Sequence, residues 1–153
     1  MTQWPTEARC AKFYGPIGSG HTTIDVPYPL YYDGKLVRRI GIHKLCADSA
    51  LRAMTGIRVI YSDADMKSLG ISVYGGCYNP RMKRGSDTEW SMHAYACAMD
   101  FDPARNQLRW GAPQARLSHD DAIPFCEAWE NEGWVSLGRE RDFDWMHVQA
   151  AQL

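Results

Sequence analysis

The sequence predicts an α+β fold, because its helical and strand-like segments do not alternate regularly as they would in a parallel α/β protein. Three observations support this fold class: a hairpin signal near the amino end, two amphipathic helices, and two strand-like segments near the carboxyl end. The chain has 153 residues, enough for a substantial hydrophobic core. We therefore expect one domain that spans residues 1–153.

The composition is that of an ordinary globular protein, with 45% apolar residues, 23% charged residues and a net charge of -1. It lacks the basic excess that is typical of nucleic-acid binding. No apolar run approaches the roughly 18 residues of a membrane helix, and the amino end lacks the apolar run of a signal peptide. We expect a monomer that is synthesised in the cytoplasm, with no nucleic-acid partner and no membrane insertion.

The amino-terminal half contains the hairpin signal and the first helix. Residues 1–27 are rich in Gly, Pro and Thr, which predicts loop with short extended pieces. The segment YPLYYDGKLVRR places an Asp33-Gly34 turn between two extended runs. In IHKLCADSALRAM (42–54), apolar residues recur three or four positions apart, which predicts an amphipathic helix that ends at Gly56.

The middle of the chain predicts two strands on either side of a long polar loop. GISVYGG (70–76) has the pattern of a short strand, and residues 97–101 form a short apolar strand. The loop over residues 76–92 exceeds about 12 residues, a length that often marks a functional segment.

A second helix and a closing pair of strands follow. The segment LSHDDAIPFCEAWENEG predicts a helix over 117–133, with a capping box formed by Ser118 and Asp121 and an end at Gly133. Its core-facing residues would be Ile123, Cys126 and Trp129. GWVSLG and DWMHVQ predict the two closing strands.

A possible metal site is indicated by His93 and Asp100, which lie seven residues apart. Fully extended, these residues would be roughly 23 Å apart, so the chain must fold back between them if they are to bind one ion. A catalytic zinc takes three protein ligands, and His147 offers the third, with Asp144 as a candidate general base. Residues 144 and 147 of a regular strand would point to opposite faces, so this arrangement requires a turn before His147. Spacing alone does not decide between this site and hydrogen-bonded histidines of the core.

The five cysteines form no C-x-x-C pair, which excludes a zinc-finger pattern, and their odd number argues against a disulfide framework. We expect reduced and mostly buried thiols. Cys97, which lies close to His93 in sequence, is the candidate nucleophile of an alternative cysteine-dependent amidase. The cysteines are Cys10, Cys46, Cys77, Cys97 and Cys126.

Three stretches resemble the M15 peptidase family: SMHAYACAMDFD (91–102), DWMH (144–147) and the upstream GGCYNPRMKRGS (75–86). The first two match the pattern S-x-H-x-x-G-x-A-x-D followed by a carboxylate three residues before a second histidine. The family comprises zinc D-alanyl-D-alanine carboxypeptidases and dipeptidases and the L-alanyl-D-glutamate endopeptidases of phage endolysins. The likeness covers about residues 70 to 150.

The resemblance implies one catalytic zinc ion, with His93, Asp100 and His147 as its ligands. It implies that Asp144 is the catalytic base. The family glycine of the first motif is Ala96 here, so either the backbone at this position is ordinary or the site is slightly altered.

The upstream stretch and the first motif supply the remaining site residues that the resemblance implies. Arg81 would stabilise the oxyanion, and Arg84 is the alternative for this role. Ser91 and Tyr78 would bind substrate.

By the same resemblance, we expect the fold of the hedgehog and D-Ala-D-Ala peptidases: a small antiparallel sheet with a zinc cleft and helices on the other side. The implied activity is hydrolysis of an amide bond in the peptidoglycan stem peptide, by an L-Ala–D-Glu endopeptidase or a D-Ala–D-Ala carboxypeptidase. A phage or prophage endolysin would reach the periplasm and cell wall through a holin-type pore. The alternative is a non-catalytic peptidoglycan-binding module whose zinc only stabilises the structure.

Overall fold

The computed structural model describes residues 4–153, which form five α-helices, six β-strands and several short 3-10 turns. Within this range no helix is both long and apolar enough to cross a membrane. The helices are α1 (Cys10–Tyr14), α2 (Lys44–Ile60), α3 (Asp63–Leu69), α4 (Ile123–Glu130) and α5 (Leu137–Arg141). The strands are β1 (His21–Tyr32), β2 (Lys35–His43), β3 (Tyr74–Gly76), β4 (Ala98–Phe101), β5 (Val135–Ser136) and β6 (His147–Gln149). The predicted α+β class is confirmed.

Strands β1 and β2 form the predicted hairpin. Asp33 and Gly34 both have positive φ, 50° and 74°, as a two-residue turn between right-twisted strands requires. The prediction of loop with short extended pieces over residues 1–27 is wrong at two places, because α1 covers Cys10–Tyr14 and the long strand β1 already begins at His21. The pairing register shifts between Asp25 and Leu30, which allows β1 to include two prolines that cannot donate to the ladder.

Helix α2 packs against the hairpin and continues to Ile60, so the prediction that it ends at Gly56 is wrong. A glycine inside a helix costs only about 1 kcal/mol relative to alanine. Ile57, one residue further on, is completely buried, and its burial is worth roughly 2 kcal/mol. The packing of the last turn therefore outweighs the conformational freedom of the glycine.

The predicted second helix is much shorter than residues 117–133, because two 3-10 turns precede α4. Pro124 lacks an amide hydrogen and lies in the first turn of α4, where that hydrogen would have no helical partner. The predicted capping box is wrong, since the Ser118 hydroxyl donates to the Ala115 carbonyl (2.6 Å). Ile123 is 37% exposed and does not face the core, whereas Cys126 and Trp129 are buried as predicted.

The remaining strands form a four-stranded antiparallel sheet in the order β3-β4-β6-β5. The predicted closing pair of strands is therefore confirmed, although α5 between them was not predicted. The structure has this sheet and the separate hairpin where the sequence predicted one small sheet.

Met99 and Phe101 of β4 are completely buried, and Phe101 packs edge-on against Phe125 of α4 with ring centroids 5.2 Å apart. Because strand side chains alternate, Asp100 faces the other side of the sheet.

The chain folds back between His93 and Asp100 at a single residue, Ala96. A 3-10 turn over Met92–Tyr95 ends at Ala96, which has a left-handed backbone (φ 55°, ψ 34°) and donates its amide hydrogen to the His93 carbonyl (3.0 Å). The backbone at this position is therefore not ordinary, and alanine adopts the conformation that glycine adopts most easily. Strand β4 starts two residues later and brings Asp100 back towards His93.

We expect Ala96→Val to destabilise the protein by about 3 kcal/mol, because a β-branched residue is strained at positive φ and Ala96 is completely buried. Urea unfolding monitored by circular dichroism measures this loss. Ala98→Val is the matched control, since Ala98 is equally buried but lies in a strand. Ala96→Gly should change stability by less than about 1 kcal/mol. Equal losses for the two valine variants would show that the left-handed backbone carries no strain.

Candidate metal centre

Two of the predicted ligands face each other across neighbouring strands. Asp100 of β4 and His147 of β6 are direct partners in the antiparallel register, although they lie 47 residues apart in sequence. The 3-10 turn that contains His93 comes from the same side of the sheet. Ligand atoms of His93, Asp100 and His147 all lie within 4.8 Å of one another. The structure therefore assembles the three residues that the sequence singled out.

Asp144 lies in the turn that sequence reasoning required before His147. It has a left-handed backbone (φ 53°), and its carbonyl accepts a hydrogen bond from the His147 amide (3.1 Å). A second hydrogen bond, from the Asp144 amide to the Leu108 carbonyl (2.8 Å), holds this turn in place. The Asp144 carboxylate oxygen Oδ2 is consequently 4.0 Å from His147 Nδ1, beside the three-residue group.

Hydrogen bonding leaves one nitrogen of His93 free to bind a cation. Its Nδ1 lies 2.7 Å from the Cys77 carbonyl, which can only accept, so Nδ1 carries the proton. The Nε2 atom is buried and makes no hydrogen bond, although it is 3.2 Å from Asp100 Oδ2. A buried nitrogen lone pair without a partner fits a metal ligand, and a ring nitrogen bonded to a backbone carbonyl is the usual support for one.

His147 presents its other nitrogen to the same point. Its Nε2 lies 2.8 Å from the Gln149 side-chain oxygen and donates to it, while Nδ1 lies 3.2 Å from Asp100 Oδ1. Two imidazole nitrogens and one carboxylate therefore converge on one position, and they leave the cavity side open. This donor set fits a catalytic zinc ion, which takes three protein ligands and keeps one open position.

The electrostatics of the group favour a cation. Burial opposes ionisation of Asp100, but the hydrogen bond from His147 and the electrostatic influence of His93 and His147 outweigh burial and hold the pKa of this carboxyl well below its usual range. Burial also opposes a charge on His147, yet the hydrogen bond to Asp100 and the charges of Asp100 and Asp144 raise its pKa to about 9. The carboxylates thus stabilise positive charge at this position, whether a proton or a metal ion carries it.

Asp144 has the electrostatic environment of a proton acceptor. Its burial raises the pKa of its carboxyl above the ordinary value, and the positive influence of His147 opposes this rise. The charge of Asp100 raises the pKa of Asp144 further, whereas His93 and Arg81 lower it. A carboxylate with a raised pKa is a stronger base than an exposed one.

A cavity of about 430 Å³ opens onto the group and is bordered by Asp144 and Ser91. The Ser91 hydroxyl accepts a hydrogen bond from the His93 amide (3.2 Å), so Ser91 supports the 3-10 turn. Tyr78 lies away from this lining: its ring is 42% exposed and packs edge-on against His21, with ring centroids 4.4 Å apart.

Five basic side chains line the cavity, and three of them belong to the long loop over residues 76–92. Arg81 is half-buried and its charge acts on Asp144, whereas Arg84 is exposed. Sequence reasoning missed Arg109 and Arg141, which follow no motif and come from segments that only the fold brings together. The five residues are Arg81, Lys83, Arg84, Arg109 and Arg141.

Sequence reasoning also missed Gln149, although the sequence did contain a signal for it. Gln149 lies two residues after His147 in a predicted strand, so both side chains had to lie on the same face. The contact between His93 and the Cys77 carbonyl could not be predicted in this way, because every residue has a backbone carbonyl and the sequence does not show which one is used.

Residues 84–150 match the family model described as D-alanyl-D-alanine carboxypeptidase, which is an M15 peptidase model. The match includes His93, Asp100, Asp144 and His147, and it confirms the resemblance that these motifs indicated. It covers a little less than half of the chain and begins after Arg81. Comparisons with curated proteins and with solved structures gave no significant match.

The cysteines do not form a nucleophilic site. All five are buried thiols, and Cys97 is completely buried, with its Sγ donating to the Met92 carbonyl (3.4 Å). Burial raises the pKa of Cys97 well above the usual value, and the neighbouring thiol of Cys10 adds to the rise. A thiol in such a place stays protonated and unreactive, which argues against a cysteine-dependent amidase.

We expect the native protein to react with iodoacetamide at pH 7.5 far more slowly than the same protein in guanidinium chloride, because its thiols are buried. Mass spectrometry counts the alkylated residues. Peptidase activity should survive this treatment. Fast alkylation of Cys97 with parallel loss of activity would contradict the structural role assigned to this thiol.

Proposed function

We propose that the protein is an M15 peptidase, since residues 84–150 match that family model, and that it is a zinc-dependent hydrolase of an amide bond in the peptidoglycan stem peptide. The observation that carries this proposal is the convergence of His93 Nε2, Asp100 and His147 Nδ1 beside an open cavity, with Asp144 next to them. A peptidase of this type requires three ligands, one open position and a separate base.

The residues that would hold zinc are His93, Asp100 and His147. Bound zinc would supply a Lewis acid that acidifies water and polarises the peptide carbonyl. The unpartnered His93 Nε2 supports this assignment, because a divalent cation would give this buried nitrogen the partner it lacks.

Asp144 would move the protons of the reaction. We assign it the removal of a proton from the attacking water and the return of that proton to the leaving amine. Its half-buried carboxylate, its raised pKa and its position beside the ligand group support this role.

Arg81 would stabilise the oxyanion that forms when the carbonyl becomes tetrahedral. A positioned donor of this kind is worth about 3 kcal/mol in the transition state. We prefer Arg81 to Arg84 because Arg81 is half-buried and its charge reaches Asp144, so it lies close to the place where the reaction would occur.

The basic lining of the cavity supports a substrate with free carboxylates. The stem peptide carries carboxylates next to both candidate bonds, L-Ala–D-Glu and D-Ala–D-Ala. Arg109 and Arg141, which follow the loop over residues 76–92 in sequence, line the same cavity and add positive charge to it. Following the resemblance to compact phage enzymes, we propose an endolysin role, with access to the cell wall through a holin-type pore.

The donor set argues against the alternative of a binding module with a structural zinc. Structural zinc sites usually have four protein ligands, commonly cysteines. Here three residues converge, none of them a cysteine, and a carboxylate with a raised pKa lies beside them.

We expect Asp144→Asn to keep one bound zinc per chain and to lose about 10²- to 10⁴-fold in kcat, because the amide cannot accept a proton. His147→Ala should lose the zinc itself. Zinc content by atomic emission and hydrolysis of a stem peptide are the two measurements. Asp120→Asn makes the same chemical change at an exposed position and should behave as wild type. An active Asp144→Asn enzyme would remove Asp144 from the role of base.

The substrate is tested by digesting purified Gram-negative peptidoglycan with and without EDTA and identifying the fragments by mass spectrometry. We expect zinc-dependent products. Loss of a terminal D-Ala would identify a carboxypeptidase, and stem peptides that begin at D-Glu would identify an endopeptidase. A protein that holds zinc but releases no fragment would contradict the peptidoglycan proposal and favour the binding module.

A further inference from the structure

We propose that Gln149 and Glu7 form a polar relay that orients His147 for the metal, so that both are positioning residues of the site. This inference rests on the proposed metal-binding function. It concerns two residues that no motif assigns a role, and it links the metal group to the amino-terminal segment of the chain.

The orientation of the Gln149 amide follows from its partners. Its nitrogen donates to Glu7 Oε2 (2.8 Å) and to the Ala151 carbonyl (3.2 Å), and both of these oxygens can only accept. The amide oxygen must therefore face His147 Nε2, 2.8 Å away. Gln149 is 1% exposed, so water has little access to replace any of these contacts.

Contacts other than the one with Gln149 also hold Glu7 in place. Its second carboxylate oxygen, Oε1, accepts a hydrogen bond from Lys83 Nζ at 2.6 Å, and this ion pair is only partly exposed. The Glu7 amide donates to the Gln152 carbonyl (2.8 Å), and the Gln152 amide donates to the Pro5 carbonyl (2.7 Å). Two backbone hydrogen bonds and one ion pair thus hold the Glu7 carboxylate in place. Glu7 lies 142 residues from Gln149 in sequence, and its carboxylate orients the Gln149 amide.

The relay determines which nitrogen of His147 faces His93 and Asp100. A neutral imidazole with its proton on Nε2 satisfies Gln149 and leaves the Nδ1 lone pair directed at the metal position. The opposite tautomer would place a lone pair against the Gln149 oxygen, and a buried polar group without a partner costs about 1–3 kcal/mol. Outer hydrogen bonds of this kind fix a ligand histidine and strengthen its binding of the metal.

Gln149→Met removes the acceptor and keeps the approximate size of the side chain. We expect zinc affinity, measured by competition with a chromophoric chelator, to fall about 10- to 100-fold. Glu7→Leu should weaken zinc binding by a smaller factor, and Glu7→Gln, which keeps one acceptor for the Gln149 amide, should weaken it least. Gln114→Met is the matched control, because Gln114 is exposed and distant from this network.

A second measurement requires neither metal nor activity. In the zinc-free protein, the His147 Nε2–H proton should be visible in nitrogen-15 NMR and protected from solvent exchange, because it is buried and hydrogen-bonded in either charge state of the ring. This protection should decrease in Gln149→Met and in Glu7→Leu and should persist in Gln114→Met. If Gln149→Met does not fold, the two Glu7 variants carry the test.

Unchanged zinc affinity in Gln149→Met and Glu7→Leu would overturn the relay, and so would weaker zinc binding with an unchanged Nε2–H signal. A wild-type protein that binds no zinc would overturn the proposed function. In that case, loss of protection in the variants would still support the orientation of His147 by Gln149, so the two failures are distinguishable.

Discussion

The candidate site depends on the register between β4 and β6, in which Asp100 lies directly opposite His147. A slip of one residue would turn either side chain to the other face of the sheet, where Met99 and Phe101 lie in the hydrophobic core. Burial of these two residues therefore fixes the side of the sheet on which the candidate ligands Asp100 and His147 lie. The left-handed Ala96 and the turn at Asp144 then bring His93 and the candidate base to that side. Backbone conformations that are uncommon for residues other than glycine occur at both turns, as is frequent at functional sites.

The same arrangement concentrates polar groups that a protein interior normally excludes. Two buried imidazoles and two half-buried carboxylates lie together, and the negative charge of the carboxylates is balanced only when positive charge is present. Burial lowers the pKa of His147, but the hydrogen bond to Asp100 and the charges of Asp100 and Asp144 raise it to about 9, so a proton on this imidazole can supply that charge. A divalent cation would supply it more completely and would also satisfy His93 Nε2. Metal binding and folding stability are consequently linked in a site of this kind.

Sequence reasoning succeeded where local chemistry determines the outcome and failed where packing does. The Asp33-Gly34 turn, the need for a reversal after His93 and the turn before His147 were all predictable, since each follows from backbone geometry. The end of α2 and the start of α4 were not, because burial of Ile57 and the missing amide hydrogen of Pro124 outweigh the signals at Gly56 and Ser118. The candidate ligands His93, Asp100 and His147 could be named because the motifs that contain them resemble a known family signature. The basic residues Arg109 and Arg141 could not, because they meet only in the folded chain.

The segment that matches the family model does not contain every residue of the candidate site. The matched segment begins at residue 84, so it contains the ligand group and Asp144 but neither Arg81 nor Glu7. Gln149, which contacts His147 directly, lies within the matched segment, whereas the proposed oxyanion donor Arg81 and the residue Glu7 that contacts Gln149 come from earlier segments. Lys83 joins these segments to one another through Glu7, and Glu7 joins them to the sheet through Gln149. The proposed relay therefore predicts that substitutions at Glu7 alter metal affinity, although Glu7 contacts none of the candidate ligands directly.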